Sequence, residues 1–74
     1  MAQAAEIGAR LKEERTRLGL RQSDICQAMG LKPNTNTVIW RWERGTVLPT
    51  ALNMARLHSL GFDIVYVLTG KRGN

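Results

Sequence analysis

The stretch Gln22–Gly45 reads QSDICQAMGLKPNTNTVIWRWERG and divides into two short helices and a connection. In the first, Ile25 and Met29 stand four apart and share a face, and Gly30 stops the run. In the second, Ile39 and Trp42 stand three apart, and Gly45 stops that run. Pro33 pushes Lys32 out of the α region, so a single helix cannot cross the connection. Asn34, Thr35 and Asn36 are each competent N-caps, and the second helix is expected over about 36–44. Cys26 lies inside the first helix, with no second cysteine and with the one histidine, His58, in another segment. It reads as a small buried thiol, not as a nucleophile or a ligand.

Upstream, residues from about Gln3 to Leu18 form a helix. Ala4, Ile7, Leu11 and Leu18 fall on one face, and Glu6–Arg10 and Glu13–Arg17 are spaced as i,i+4 pairs. Gly19 followed by apolar Leu20 has the form of a Schellman stop. Asp24, with Ser23 beside it, suits the first turn of the next helix, where a carboxylate complements the dipole. Downstream, Thr50 caps a fourth helix whose inner face is expected to be Leu52, Met54 or Ala55, Leu57 and Leu60, closed by Gly61. Asp63 caps a short fifth helix from Ile64 to Leu68, ending at Thr69-Gly70. By propensity Ile64–Leu68 reads as a strand. A lone strand would have no pairing partner, so a helix is expected. Residues 71–74 are a basic tail expected to fray.

Seventy-four residues make one domain (1–74, core about 5–70) with a modest core. Eleven Lys and Arg against six Asp and Glu give a net charge of +5 and a pI near 10.4. That excess favours a polyanion such as nucleic acid or an acidic membrane surface. One cysteine excludes an internal disulfide framework and fits a reducing compartment. No apolar run has the length of a membrane span, and the N-terminus lacks a signal core. The expectation is a cytoplasmic protein.

Two short helices joined by a connection, the second free to meet the DNA major groove, is the layout of a helix-turn-helix. The motifs Arg15-x-x-Leu18-Gly19-Leu20-x-Gln22, Ile25-Cys26-x-x-Met29-Gly30, Ile39-x-x-Trp42-Glu43-Arg44-Gly45 and Tyr66-Val67-Leu68-Thr69-Gly70 follow in order. Together they resemble the phage-repressor-like (XRE-type, lambda-repressor-like) helix-turn-helix family over residues 5–70. The resemblance implies an all-α, compact five-helix domain with its helix-turn-helix in helices 2 and 3. It also implies a homodimer on an inverted-repeat operator and a transcriptional regulator. The chain departs from the family in three places. Leu31–Val38 makes a connection about three residues longer than usual; Thr46-Val47-Leu48-Pro49 carries no basic residue; and Trp40 stands where a small residue is common.

On this reading the N-terminal end of the second motif helix points into the groove. Asn36 is suited to pair with adenine, Arg41 with guanine, and Val38 or the Thr37 methyl to touch a thymine methyl. Capping is the competing role for Asn36 and Thr37. Gln22 resembles the family's phosphate-binding glutamine, and Arg21, Lys32 and Arg44 are candidates for the same sequence-independent work. The resemblance further implies that Arg15 bonds Glu43 as a structural ion pair, and that Tyr66 and Leu68 lie where relatives make dimer contacts. Closing the core is the competing role for both. Trp40 is open to two readings, the core edge beside the long connection or an exposed residue that packs in a dimer or stacks on sugar and phosphate, with the core edge preferred. His58 reads as a surface residue.

Three function classes follow. The leading one is a DNA-binding transcriptional regulator of phage or prophage type, a repressor on a pseudo-palindromic operator, with double-stranded DNA and a second copy as partners. The second is an antitoxin-like module that binds a protein partner as well as its operator. An enzyme is disfavoured, because no nucleophile–base pair, carboxylate pair or metal cluster stands out. No cofactor, metal or membrane partner is expected.

Overall fold

The computed structural model describes residues 3–32 and 36–72, the Asn36 side chain excepted. Within them the chain forms five helices and no strand: α1 (Gln3–Arg17), α2 (Gln22–Ala28), α3 (Asn36–Arg44), α4 (Ala51–Ser59) and α5 (Ile64–Thr69). A radius of gyration of 11.3 Å matches the ~11 Å expected of a compact chain of this length. Caps proposed at Asn34 and Thr35, and the tail residues Gly73 and Asn74, lie outside the described residues.

α1 is the axis of the fold, packing on α3 along one side and on α5 along another, while α2 packs on α3 and α4 on α5. Every helix sends side chains into one core, from Leu11 through Ile25, Cys26, Ile39 and Trp42 to Leu57, Phe62 and Val67. Cys26 is 1% exposed, as its small apolar reading required. The helix ends follow the glycine-then-apolar pattern. At the end of α1, Gly19 N–H bonds Thr16 O and Leu20 N–H bonds Arg15 O, both 3.0 Å. The end of α4 repeats this with Gly61 on His58 O and Phe62 on Leu57 O. Phe62 is thereby turned into the core, a role that its place after Gly61 could have announced.

The start of α2 is held by Asp24, whose carboxylate accepts the Arg21 N–H at 2.8 Å. Thr50 Oγ1 accepts from Asn53 N and starts α4. Asp63 accepts from Tyr66 N at 3.0 Å and starts α5. The β-prone run Ile64–Leu68 is thus helical, because an unpaired strand would strand its backbone polar groups while a helix satisfies them internally.

Three expectations are corrected. Leu52 is 62% exposed, since the stripe of α4 that meets the core is narrow: Leu57 is buried, with Met54 and Leu60 partly buried against the core. Arg17 pairs with Glu14 and not with Glu13, because Glu14 is the buried carboxylate. Arg72 is docked onto α1 and does not fray.

One close approach fixes how α1 meets α3. Gly8 lies within α1, and a Cβ built there would stand 2.5 Å from Trp42 O and 2.7 Å from Glu43 O. Gly45 combines a φ of 75° with an equally tight position, where a Cβ would stand 2.6 Å from Ala4 O. The two glycines let the backbones of α1 and the end of α3 touch.

Candidate nucleic-acid interface

α3 buries Ile39 and Trp42, and Val38 is half-buried against the core. Thr37, Trp40, Arg41 and Arg44 are left exposed. At about 100° per residue, those four share one face spanning roughly 100° of arc. The face carries two arginines, one hydroxyl and one indole, and no acid. Neither Arg41 nor Arg44 has a carboxylate within ion-pair distance among the described residues. The Arg44 guanidinium lies over the Trp40 ring, 4.5 Å from its centroid. Trp40 is 47% exposed, so the core-edge reading of this residue is corrected. The core positions of α3 are already filled by Ile39 and Trp42, and position 40 falls on the solvent side.

The one acid of α3, Glu43, is turned inward. Arg15 on α1 donates Nε to its Oε2 and Nη2 to its Oε1. Gln22 Nε2 adds a bond to Oε1 at 3.1 Å, and Arg15 Nη1 closes onto Leu20 O at 3.0 Å. The pair is nearly out of solvent, with 15% of the Arg15 side chain and 7% of the Glu43 side chain exposed. The bidentate, planar fit suits arginine, and it removes a negative charge from beside an otherwise basic face.

The remaining candidates are placed as follows. Gln22 spends one N–H on Glu43, leaving the second hydrogen of its amide. Arg21 is exposed but is bound by Asp24 at 3.1 Å, which answers much of its charge. The same contact, first through the guanidinium and then through the Arg21 N–H, holds the Asp24 carboxyl below its ordinary range. Lys32 is exposed beside the connection. The Asn36 side chain lies outside the described residues. On α5, Leu68 and Val65 are exposed at 49% and 56%. Tyr66 is engaged within the chain: its hydroxyl bonds Glu13, and Arg72 lies over its ring at 3.8 Å. His58 is exposed.

A second ionic cluster, not anticipated from sequence, closes the other side of α1. Glu14 is wholly buried. It accepts from Arg17 Nε and Nη2 at 2.9 and 2.7 Å, from Arg72 Nη1 at 2.8 Å and from the Asp63 backbone N–H at 2.8 Å. The Arg17 guanidinium is the main cause that lowers the Glu14 carboxyl from 4.5 to about 2; burial opposes it, and Asp63 N–H and Arg72 add to it. Arg10 Nε ties α1 to Val67 O at 2.8 Å in the same seam. The signal was in the spacing: Ile7, Leu11, Glu14 and Leu18 follow the apolar face, with an acid at one of its inner positions.

Among the described residues no three His, Cys, Asp or Glu gather to hold a metal, and no helix is long and apolar enough to cross a membrane. What fold and site define is a small all-helical domain that presents a basic helix on a rigid support. No family model and no solved structure matches the chain. It is similar to the type II methyltransferase M1.ScrFI of Lactococcus lactis subsp. cremoris, 35% identical over 52 residues, or 70% of this chain and 13% of that protein. It is also similar to the type II methyltransferase M.SsoII of Shigella sonnei, 40% identical over 48 residues, or 65% of this chain and 13% of that protein. The chain therefore spans about an eighth of the length of these relatives.

Proposed function

We propose that the chain is a sequence-specific double-stranded DNA-binding domain of the phage-repressor-like type and acts as a transcriptional repressor. α2 and α3 form its helix-turn-helix, with α3 as the recognition helix. The observation that carries this reading is the exposed face of α3, which offers Thr37, Arg41 and Arg44 while its one acid is neutralised by Arg15. Thr37 stands near the centre of that face and offers its methyl, and Arg41 stands beside it on the edge away from Trp40, where its long guanidinium reaches a guanine edge. Val38, half-buried, has less to offer. Gln22, Arg44 and Lys32 meet phosphates, and Arg21 does so less well because Asp24 holds it. The protein works as a homodimer in the cytoplasm, with Leu68 and Val65 of α5 as the apolar contact and Tyr66 supporting them from within. Half-site centres then lie about one helical turn, ~34 Å, apart. No catalytic role is assigned to any residue.

Selection of bound sequences from a random duplex pool, with a mass measurement of the free protein, tests this. A pseudo-palindromic consensus and a dimer mass are expected. A gel shift with no preference among duplexes sinks the reading.

In both methyltransferases the matching segment is a small part of a far longer chain, so a second arrangement is a DNA-binding part of a larger protein. An antitoxin-like role with a separate protein partner is the alternative, and co-purification of such a partner discriminates it from the homodimer.

A further inference from the structure

A groove beside the exposed face of α3 is lined by Lys12 of α1, Arg15, Gln22 at the start of α2, and Trp40, Glu43 and Arg44 of α3. Resting on the DNA-binding reading, we infer that this groove seats a backbone phosphodiester of the strand flanking α3. Lys12, Arg44 and the second amide hydrogen of Gln22 contact the phosphate, and the Trp40 ring lies against the adjoining sugar.

The charge balance of the groove carries the inference. Lys12, Arg15 and Arg44 face a single acid, Glu43. That acid is consumed internally by Arg15 and Gln22. Two cations are left, and neither has an ion-pair partner among the described residues. Both are exposed. An anion entering the groove meets them without first displacing a carboxylate.

Trp40 fits the same occupant. At 47% exposure its indole offers a flat, partly apolar face that a sugar can cover. Its ring already orders the Arg44 guanidinium at 4.5 Å. Cation–π contact of this kind holds the planar fork in place before the ligand arrives, so less side-chain entropy is lost when it takes a phosphate in bidentate fashion. Position also agrees. The major groove is about 12 Å wide, close to the diameter of a helix with its side chains, so the flanks of a helix lying in it face the sugar–phosphate backbone. Trp40 and Arg44 stand on the flank toward α1, where Lys12 waits. A seat of this kind reads no base. It sets the depth and register of α3, and leaves discrimination to Thr37 and Arg41 on the rest of the face.

The experiment measures the affinity of the 74-residue chain for its selected duplex and for a random duplex of equal length, over a series of KCl concentrations. Lys12→Ala and Arg44→Ala are each expected to flatten the log–log salt slope by about one unit, equally on both duplexes. Arg44→Lys, which keeps the charge and loses the fork, is expected to keep the slope and lose affinity several-fold. Trp40→Leu should do the same. Arg41→Ala should hurt the selected duplex far more than the random one. Thermal melts of each variant, expected within a few degrees of wild type, establish that folding is not the cause. Tryptophan fluorescence compared between wild type and Trp40→Phe is expected to respond to the random duplex and to respond little to millimolar inorganic phosphate. Unchanged salt slopes for Lys12→Ala and Arg44→Ala overturn the seat, as does a loss confined to the selected duplex. A response to inorganic phosphate with none to duplex assigns the groove to a free anion and overturns it too. A wild-type chain that binds no duplex ends the DNA-binding reading itself, before any variant is compared.

Discussion

Glu14 and Arg15 are neighbours on α1, yet they anchor opposite seams of the molecule. Arg15 reaches α3 and holds Glu43 and, through it, Gln22. Glu14 reaches the start of α5 and gathers Arg17, Arg72 and the Asp63 N–H. Both clusters have a carboxylate at the centre, but their solvent differs. In the α3 seam both side chains are nearly buried. In the α5 seam the acid is buried, while Arg17 and Arg72 stay about half exposed, at 46% and 45%. The first cluster is a buried pair whose breakage leaves a charge in low dielectric. The second is a buried acid served by cations that can retreat to water. The same chemistry therefore carries unequal weight, and the heavier seam supports α3.

Removing the close approach breaks the α3 seam most directly. In Gly8→Ala the new Cβ would meet three backbone atoms under 3.0 Å, and backbone cannot swing aside. A loss of about 3 kcal/mol or more is expected, or roughly 12 °C or more in melting temperature for a domain of this size. Circular dichroism melting checks it. A melt within 3 °C of wild type would mean that α1 and α3 do not touch as described.

Glu43→Ala comes next, at about 3 kcal/mol, because Arg15 is left with its charge in a nearly closed site. DNA binding should weaken through loss of fold. If binding is lost while the melting temperature holds, Glu43 acts on the ligand and its structural role is wrong.

Glu14→Gln follows with a loss of about 2–3 kcal/mol near neutral pH, the upper end set by the depressed carboxyl and the lower by an amide oxygen that still serves Asp63 N–H and arginines that can turn outward. It should also alter the acid limb of stability. The folded-state pKa of Glu14 is lowered from 4.5 to about 2, so the folded state binds its proton less readily than the unfolded chain. Its contribution is complete above about pH 4.5 and is lost as pH falls toward about 2. Urea titrations across that window should show wild type losing stability more steeply than Glu14→Gln. Parallel curves would remove Glu14 from this role.

The smallest effect is expected at Tyr66→Phe, which deletes the hydroxyl bond to Glu13 on the surface of the α5 seam. Below about 1 kcal/mol is expected. A larger loss in denaturant unfolding would show that the α5 seam leans on its rim as well as on Glu14.

Much of the helical plan was legible because it is written in local chemistry. Glycine followed by an apolar residue, and Thr50 and Asp63 as caps, each act within a few residues. The buried face of α3 was legible too, since Ile39 and Trp42 set it by spacing alone. Leu52 failed as an inner residue because periodicity gives a face but not how much of it another helix covers. Trp40 failed for a related reason: bulk and apolarity argue for burial, while its angular position on α3 decides against it.

By itself the sequence determined five helical segments, their ends and the sign of the surface charge, because propensity, capping and composition are local or additive. Tertiary structure alone decided which charges were spent inside. Glu13 and Glu14 look alike in sequence, yet one lies at the surface bonding a phenol and the other lies buried among two arginines and an amide. Arg15 and Arg44 look alike too, yet one is consumed by Glu43 and the other stands over an indole, open to an anion. Those fates depend on which helix packs against which, and that is set by contacts far apart in the chain.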